Sequence, residues 1–112
     1  MAQPRRLAIS VRQPYAELIL RGIKKIEYRS IPTNIRGRVY VYASLHKPDA
    51  RDCARHKLSP EDLPTGYVVG SVEVVGCKWV RGEYNWLLAK PQRLARPFRP
   101  QNHPQPVWFY PL

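Results

Sequence analysis

The sequence predicts a mixed α+β domain in which five or six short strands build a small barrel accompanied by one or two short helices. Three observations predict it. Runs with strand periodicity follow one another after short gaps, unlike a regular β-α-β alternation. The best run, Tyr67–Trp79, carries Gly70 and Gly76 inside it, as a strand does where it bulges or bends around a barrel. The clearest apolar face at helical spacing is confined to one segment near the N-terminus. With 112 residues and 44% hydrophobic composition, the chain fits a single domain with a real core. That domain is expected over residues 7–112, after a flexible tail at 1–6.

In chain order, Leu7–Val11 reads as a first strand. Pro14 suits a first helical turn, and Tyr15, Ala16, Leu18, Ile19, Leu20 and Ile23 form an apolar face that Gly22 terminates, giving a helix over Pro14–Arg21. Lys24–Arg29 alternates as a strand, with Ile26 and Tyr28 on one face and Lys25, Glu27 and Arg29 on the other. Ser30–Gly37 is a loop by its Pro32, Asn34 and Gly37. Arg38–Ser44 is a strand with Val39, Val41 and Ala43 facing one way and Tyr40 and Tyr42 the other, where an outer aromatic pair is one of the roles open to them. Pro48–Lys57 reads as a second short helix, and Ser59–Pro64 as a further turn. Tyr67–Trp79 and Asn85–Leu94 are strands, the latter marked by Pro91 as bulged or at an edge. A proline-rich loop follows, and Val107–Tyr110 makes a last strand.

Charge bounds the partners. Nineteen Lys+Arg against eight Asp+Glu give a net charge of +11. Residues 1–40 hold nine basic and two acidic residues, and residues 91–112 hold three basic and none acidic. A polyanion is the expected partner, and nucleic acid is the commonest one. No apolar run approaches the ~20 residues that span a bilayer, so no membrane partner is expected. The basic N-terminal stretch lacks the apolar segment of a secretory signal. Cys53 and Cys77 read as free thiols, which suits a reducing cytoplasm. His46, Cys53 and His56 lack a fourth partner at zinc-site spacing, and there is no phosphate-binding glycine motif or nucleophile elbow. Neither a metal nor another cofactor is expected.

The densest cluster of chemistry-bearing residues is Ser10–Arg29. Arg12, Gln13 and Tyr15 fall at the helix N-terminus, where free N–H groups and a cation attract phosphate or carboxylate. Lys24, Glu27 and Arg29 follow the helix. A Glu held by an Arg can accept hydrogen bonds from a base edge, and an Arg can stack on a base. The same pair read blandly is a surface ion pair worth little. Trp86 and Trp79 are either stacking platforms or core residues, and Glu73, mid-strand, either lines the cleft as a paired charge or lies on an exposed outer face. Ser44, ending its strand, joins the ligand-binding candidates.

Gly22-x-Lys24-x-x-Glu27-x-Arg29 resembles the G-x-K-x-x-E-x-R signature of the ASCH family. The preceding Ser10-x-Arg12-Gln13-Pro14-Tyr15-Ala16 is similar to the family's opening strand and helix. Gly66–Cys77 resembles its central strand, and Tyr84–Pro97 its closing stretch. The resemblance implies a PUA-like barrel with a helix over one opening and a cleft beside it, into which Lys24, Glu27 and Arg29 point. It also implies RNA as the partner. In a branch that hydrolyses acetylated cytidine nucleosides, the signature has Thr where Glu27 stands here, and a carboxylate comes from a helix after the central strand. Here Trp79 leads through Arg81-Gly82-Glu83 into the next strand, so Glu83 would have to substitute.

The expected function is binding of RNA or a nucleotide-like ligand by a monomer. Lys24 and Arg12 would sit near phosphate, Glu27 and Arg29 on polar edges, and Tyr15 or Trp86 in a stack, while Arg93, Arg96 and Arg99 would track the backbone. The alternative is a small hydrolase on a modified nucleoside or an RNA phosphodiester, with Glu27 as base and Lys24 stabilising a developing anion.

Overall fold

The computed structural model describes residues 5–112. Of the tail expected at 1–6, residues 1–4 lie outside the described residues, and Arg5 and Arg6 lie over the rings of Tyr110 and Tyr40. The elements are β1 (Ala8–Val11), α1 (Tyr15–Leu20), β2 (Ile26–Arg29), β3 (Gly37–Ala43), α2 (Ala50–Arg55), a single 3-10 turn at Pro60–Asp62, β4 (Tyr67–Val80), β5 (Glu83–Phe98) and β6 (Trp108–Phe109). The strands form one six-stranded sheet in the order β2-β5-β4-β3-β1-β6. Only β1 and β3 pair in parallel.

The expected barrel needs one correction: hydrogen bonds do not close it, and β2 and β6 remain as edges. The sheet nevertheless curls until its ends meet through side chains. Trp86 on β5 stacks on Trp108 of β6, with ring centroids 5.4 Å apart. The Arg29 guanidinium on β2 donates to the Ser10 carbonyl on β1 at 2.8 Å. Each pair is separated by four strand spacings in the sheet order, which is roughly 19 Å on a flat sheet. Side-chain bridges across that gap require a strongly coiled sheet.

The long β4–β5 hairpin supplies the coil. Its turn places Arg81 and Gly82 at φ of 50° and 88°, the two left-handed residues of a turn whose twist matches paired strands. Register shifts fall between Val68 and Gly70, between Ser71 and Glu73, and between Val74 and Gly76. Both internal glycines of β4 therefore sit at bulges, as their positions suggested. The middle shift lies opposite Lys90–Pro91, beyond the stretch of β5 that pairs with β2. Pro91 thus occupies the side of β5 that has no ladder partner. β5 runs past the expected Leu94 to Phe98 because the far end of β4 still offers Val68 as a partner.

The main core gathers Ile9, Val11, Val39, Val41, Val72, Val74, Trp86 and Leu88 under Ala16, Ile19 and Leu20 of α1. A smaller cluster on the other face joins Ala8, Tyr42, Val68 and Phe109. The two tyrosines of β3 do not pair with each other. Tyr40 meets the edge of Phe98 and Tyr42 that of Phe109, and Tyr42 is buried.

α1 is only six residues long, too short to persist alone, and two devices hold it. Leu20 packs into the space left by Gly70, where an added Cβ would meet Leu20 Cδ2 at 2.4 Å and the Gln92 carbonyl oxygen at 2.5 Å. Buried Glu17 accepts two bonds from the Arg93 fork, at 2.9 and 2.8 Å, and one from Arg21 Nε at 2.7 Å. Arg93, read from the sequence as a backbone-tracking cation, is paired here with an internal carboxylate while about half of its side chain stays exposed. Burial by itself would raise the Glu17 carboxyl; the bonds from Arg93 and Arg21 outweigh it and hold the group below its ordinary value.

Two outcomes follow. Gly70→Ala is expected to cost about 2–3 kcal/mol in urea denaturation, because the backbone carbonyl in its way cannot rotate aside. Gly76→Ala, whose Cβ would meet only the flexible end of Leu87 at 3.1 Å, should cost much less; equal costs would refute this account. A carboxylate depressed in the folded state contributes stability that is complete above its unfolded pKa of about 4.3 and is lost as pH falls through the folded value. Glu17→Gln should therefore lose roughly 1–3 kcal/mol at pH 7 and show a shallower decline than wild type below pH ~4.3. Parallel acid limbs in the two proteins would count against Glu17.

Candidate nucleic-acid interface

The curl leaves a cleft of about 1150 Å³ where the end of β1, the N-terminus of α1, β2 and the end of β3 converge. Its wall on the far side is the segment His103–Pro106. Ser10 fastens that wall. Its N–H donates to the Val107 carbonyl at 3.0 Å and its hydroxyl to the Gln105 carbonyl at 2.7 Å.

β2 presents Glu27 and Arg29 on its inner face, as the alternation required, and this face is the buried one: Glu27 is 8% exposed. Glu27 Oε2 accepts from Arg29 Nε at 3.0 Å and from Nη2 at 2.6 Å. Its Oε1 lies 3.4 Å from Lys24 Nζ. A buried carboxylate with cations on both oxygens is a structural node, since an unpaired buried charge is costly. Oε2 takes both hydrogen bonds from Arg29, while Oε1 faces the Lys24 ammonium. Arg29 extends the node across the seam to Ser10 and lies over the Trp86 ring at 5.3 Å. Lys24 Nζ stands 5.7 Å from the Tyr15 ring and 5.0 Å from the Tyr28 ring, within the range of cation–π attraction.

Arg12 is exposed at the cleft edge and, among the described residues, makes neither an ion pair nor a side-chain hydrogen bond. Tyr15 lines the cleft and donates its hydroxyl to Asp52 of α2. That bond, with burial next, pushes the phenol up to about 12. Asp52 is positioned by its own helix, whose N-cap Asp49 accepts from the Asp52 N–H at 2.9 Å. Ser44 lines the cleft with its hydroxyl 3.3 Å from His46 Nδ1.

Two ligand-binding candidates are corrected. Trp86 is 0% exposed; its ring is enclosed by Trp108 and Arg29, and its Nε1–H donates to the Ile31 carbonyl at 3.0 Å. It offers no face to a base. Gln13 is 1% exposed and is spent on the backbone: it donates to the Pro64 carbonyl and accepts from the Glu17 N–H, both at 3.0 Å. Both are scaffold residues of the cleft rather than its lining. Trp79 stands 61% exposed near the hairpin turn, edge-on to Tyr84. Glu73 lies 3.9 Å from both Arg38 and Lys90, and Glu83 is exposed at the hairpin turn.

Sequence reasoning missed Tyr28, His46 and the wall from His103 to Pro106. Tyr28 was visible only as a strand aromatic, and nothing in a proline-rich loop announces where its tip will land.

A curled six-stranded sheet, a short helix packed on it and a cleft lined by Lys24, Glu27 and Arg29 define a small α+β domain of the PUA-like type. The family model described as "ASCH domain" matches residues 9–98, and the chain belongs to that family. It is similar to activating signal cointegrator 1 of Homo sapiens, at 34% identity over 80 residues that cover 62% of this chain and 14% of that protein. The Mus musculus protein of the same name is 31% identical over the same coverage. The chain thus spans only 14% of the length of these curated relatives. The crystal structure of ASCH from Zymomonas mobilis shares the fold, with a TM-score of 0.66 at 15% identity over 96% of this chain and 88% of that one. The wall at His103–Pro106 lies beyond the residues that the family model matches.

The Tyr15–Asp52 bond has a spectroscopic signature. One of the tyrosines of the wild-type protein should ionise at about 12, and Asp52→Ala should return it toward the ordinary value near 10. Absorbance titration at alkaline pH reads both; an unchanged curve in the variant would remove the bond from the account.

Proposed function

We propose that this domain binds single-stranded RNA or a nucleotide-like ligand in the cleft beside α1. The observation that carries the reading is the composition of that cleft in a chain of net charge +11. Arg12, unpaired among the described residues, stands at its edge, and Lys24 lies between the rings of Tyr15 and Tyr28. A phosphate is met by Arg12 and Lys24. A base stacks on Tyr28, which is half exposed, or on Tyr15. The Glu27–Arg29 pair shapes the floor, and Ser44 and His46 offer hydrogen bonds to sugar or base edges. Tyr28 takes the stacking role that Trp86, enclosed in the core, cannot play.

The hydrolytic alternative has less support, because both Glu27 oxygens are engaged by Arg29 and Lys24. The free thiols Cys53 and Cys77 support a reducing, cytoplasmic setting.

Fluorescence anisotropy with a short single-stranded RNA at two salt concentrations tests the reading. Wild type should bind with affinity that falls steeply with salt. Lys24→Ala should weaken binding about tenfold or more, beyond the modest uniform loss of one surface phosphate contact. No detectable binding by wild type at low salt would end the proposal. Equal binding by both proteins would move RNA from the cleft to the general basic surface.

A further inference from the structure

Outside the cleft, three arginines lie over tyrosine rings: Arg5 over Tyr110, at the chain's far end, and two that lie near one another. Arg6 lies over Tyr40 with its guanidinium carbon 5.1 Å from the ring centre, and Arg99 over Tyr67 at 4.9 Å. Both arginines are exposed, and among the described residues neither makes a salt bridge. Their charges therefore stay available, while cation–π attraction holds each guanidinium near its ring.

The two stacks are neighbours. Tyr40 meets the edge of Phe98, with centroids 5.7 Å apart, and Phe98 immediately precedes Arg99. Tyr67 pairs across the ladder with Ala43, next to Tyr42. Tyr42 lines the cleft and feels the charge of Arg99, which opposes the rise that burial imposes on its phenol. These pairwise contacts link the cleft residue Tyr42 to Arg99 on Tyr67, and through Phe98 to Arg6 on Tyr40.

We propose that Arg99 and Arg6, held on Tyr67 and Tyr40, form a second contact surface along which a single-stranded RNA continues out of the cleft. This rests on the cleft being an RNA site. A guanidinium stacked on a ring keeps its outer plane for a base and its N–H edge for phosphate oxygens, the two features that single-stranded RNA offers together. An acidic peptide offers only the second. Two cations beyond the cleft add contacts for a strand several nucleotides long and give nothing to a mononucleotide.

The test compares wild type, Arg6→Gln/Arg99→Gln and Lys24→Ala with three probes: a mononucleotide, a single-stranded RNA of about twelve nucleotides and poly-glutamate. For the double variant, mononucleotide binding should be unchanged. Its affinity for the long RNA should fall about tenfold, and its salt dependence should flatten by roughly 1.4 in log–log slope, two lost phosphate contacts at ~0.7 each. Arg6→Lys/Arg99→Lys should recover the salt slope but not the full affinity, since lysine keeps the charge without the stacked plane. A double variant that binds the long RNA as wild type does, while Lys24→Ala loses it, would overturn the second surface and leave the cleft standing. If wild type binds neither nucleotide probe, the cleft reading fails and this surface with it. Poly-glutamate bound as tightly as the long RNA, and lost in the double variant, would also overturn the proposal by assigning the arginines to an acidic protein.

Discussion

The hydrogen-bond fork of Arg29 is the contact on which the rest of the structure depends. An open sheet of six strands has no reason to bring strands from its two ends together, and a flat one would hold them far apart. Arg29 joins β2 to β1 by one bond to the Ser10 carbonyl, and it is itself held by two bonds to Glu27. The planar guanidinium suits this task, because it reaches a carboxylate and a carbonyl in fixed directions while its face lies over Trp86. Trp86 carries the closure onward to Trp108 on the last strand and to the loop at Ile31. A lysine would keep the charge but lose the fork, and with it the geometry that aligns the seam.

The cleft is a by-product of that closure. Its walls are the places where strands end without pairing further, and the C-terminal segment is drawn across the gap by its bonds to Ser10. The same triad sets the local electrostatics. One buried negative charge, Glu27, needs two cations to be tolerated, so Lys24 and Arg29 are partly committed before any ligand arrives. Among the described residues that line the cleft, the arginine that makes neither an ion pair nor a side-chain hydrogen bond is Arg12, at its edge. A similar logic operates under α1: Glu17 uses Arg93 and Arg21 to hold a helix too short to stand alone. Acidic residues are scarce in this chain, and its two buried ones, Glu17 and Glu27, each organise a pair of cations.

Much of the fold was legible because it rests on local chemistry. The apolar spacing of Tyr15–Leu20, the alternation of Val39–Tyr42, the two glycines inside β4 and the proline in β5 all report constraints that act over a few residues. The alternation of β2 also placed Glu27 and Arg29 on one side, and the Gly22–Arg29 signature tied them to a cleft. What alternation could not say was which side is buried. Trp86 illustrates the limit: a strand aromatic is equally suited to a core and to a stacking platform, and the choice was made by Trp108, more than twenty residues away. Gln13 was misjudged for the same reason, since its amide is consumed by Pro64, a contact that no local pattern announces.

The sequence by itself determined the class of fold, the strand and helix order and the basic character, because periodicity, turn chemistry and charge are properties of neighbouring residues; Lys24, Glu27 and Arg29 were singled out as a set by the resemblance of Gly22–Arg29 to a family signature. Tertiary structure alone decided that the sheet curls without closing, that Glu27 is locked between two cations, that Arg93 serves Glu17, and that Tyr28 and the His103–Pro106 segment face the cleft. Those outcomes depend on pairs separated by up to 95 residues in the chain, as Ser10 and Gln105 are, and contacts of that range exist only once the chain has folded.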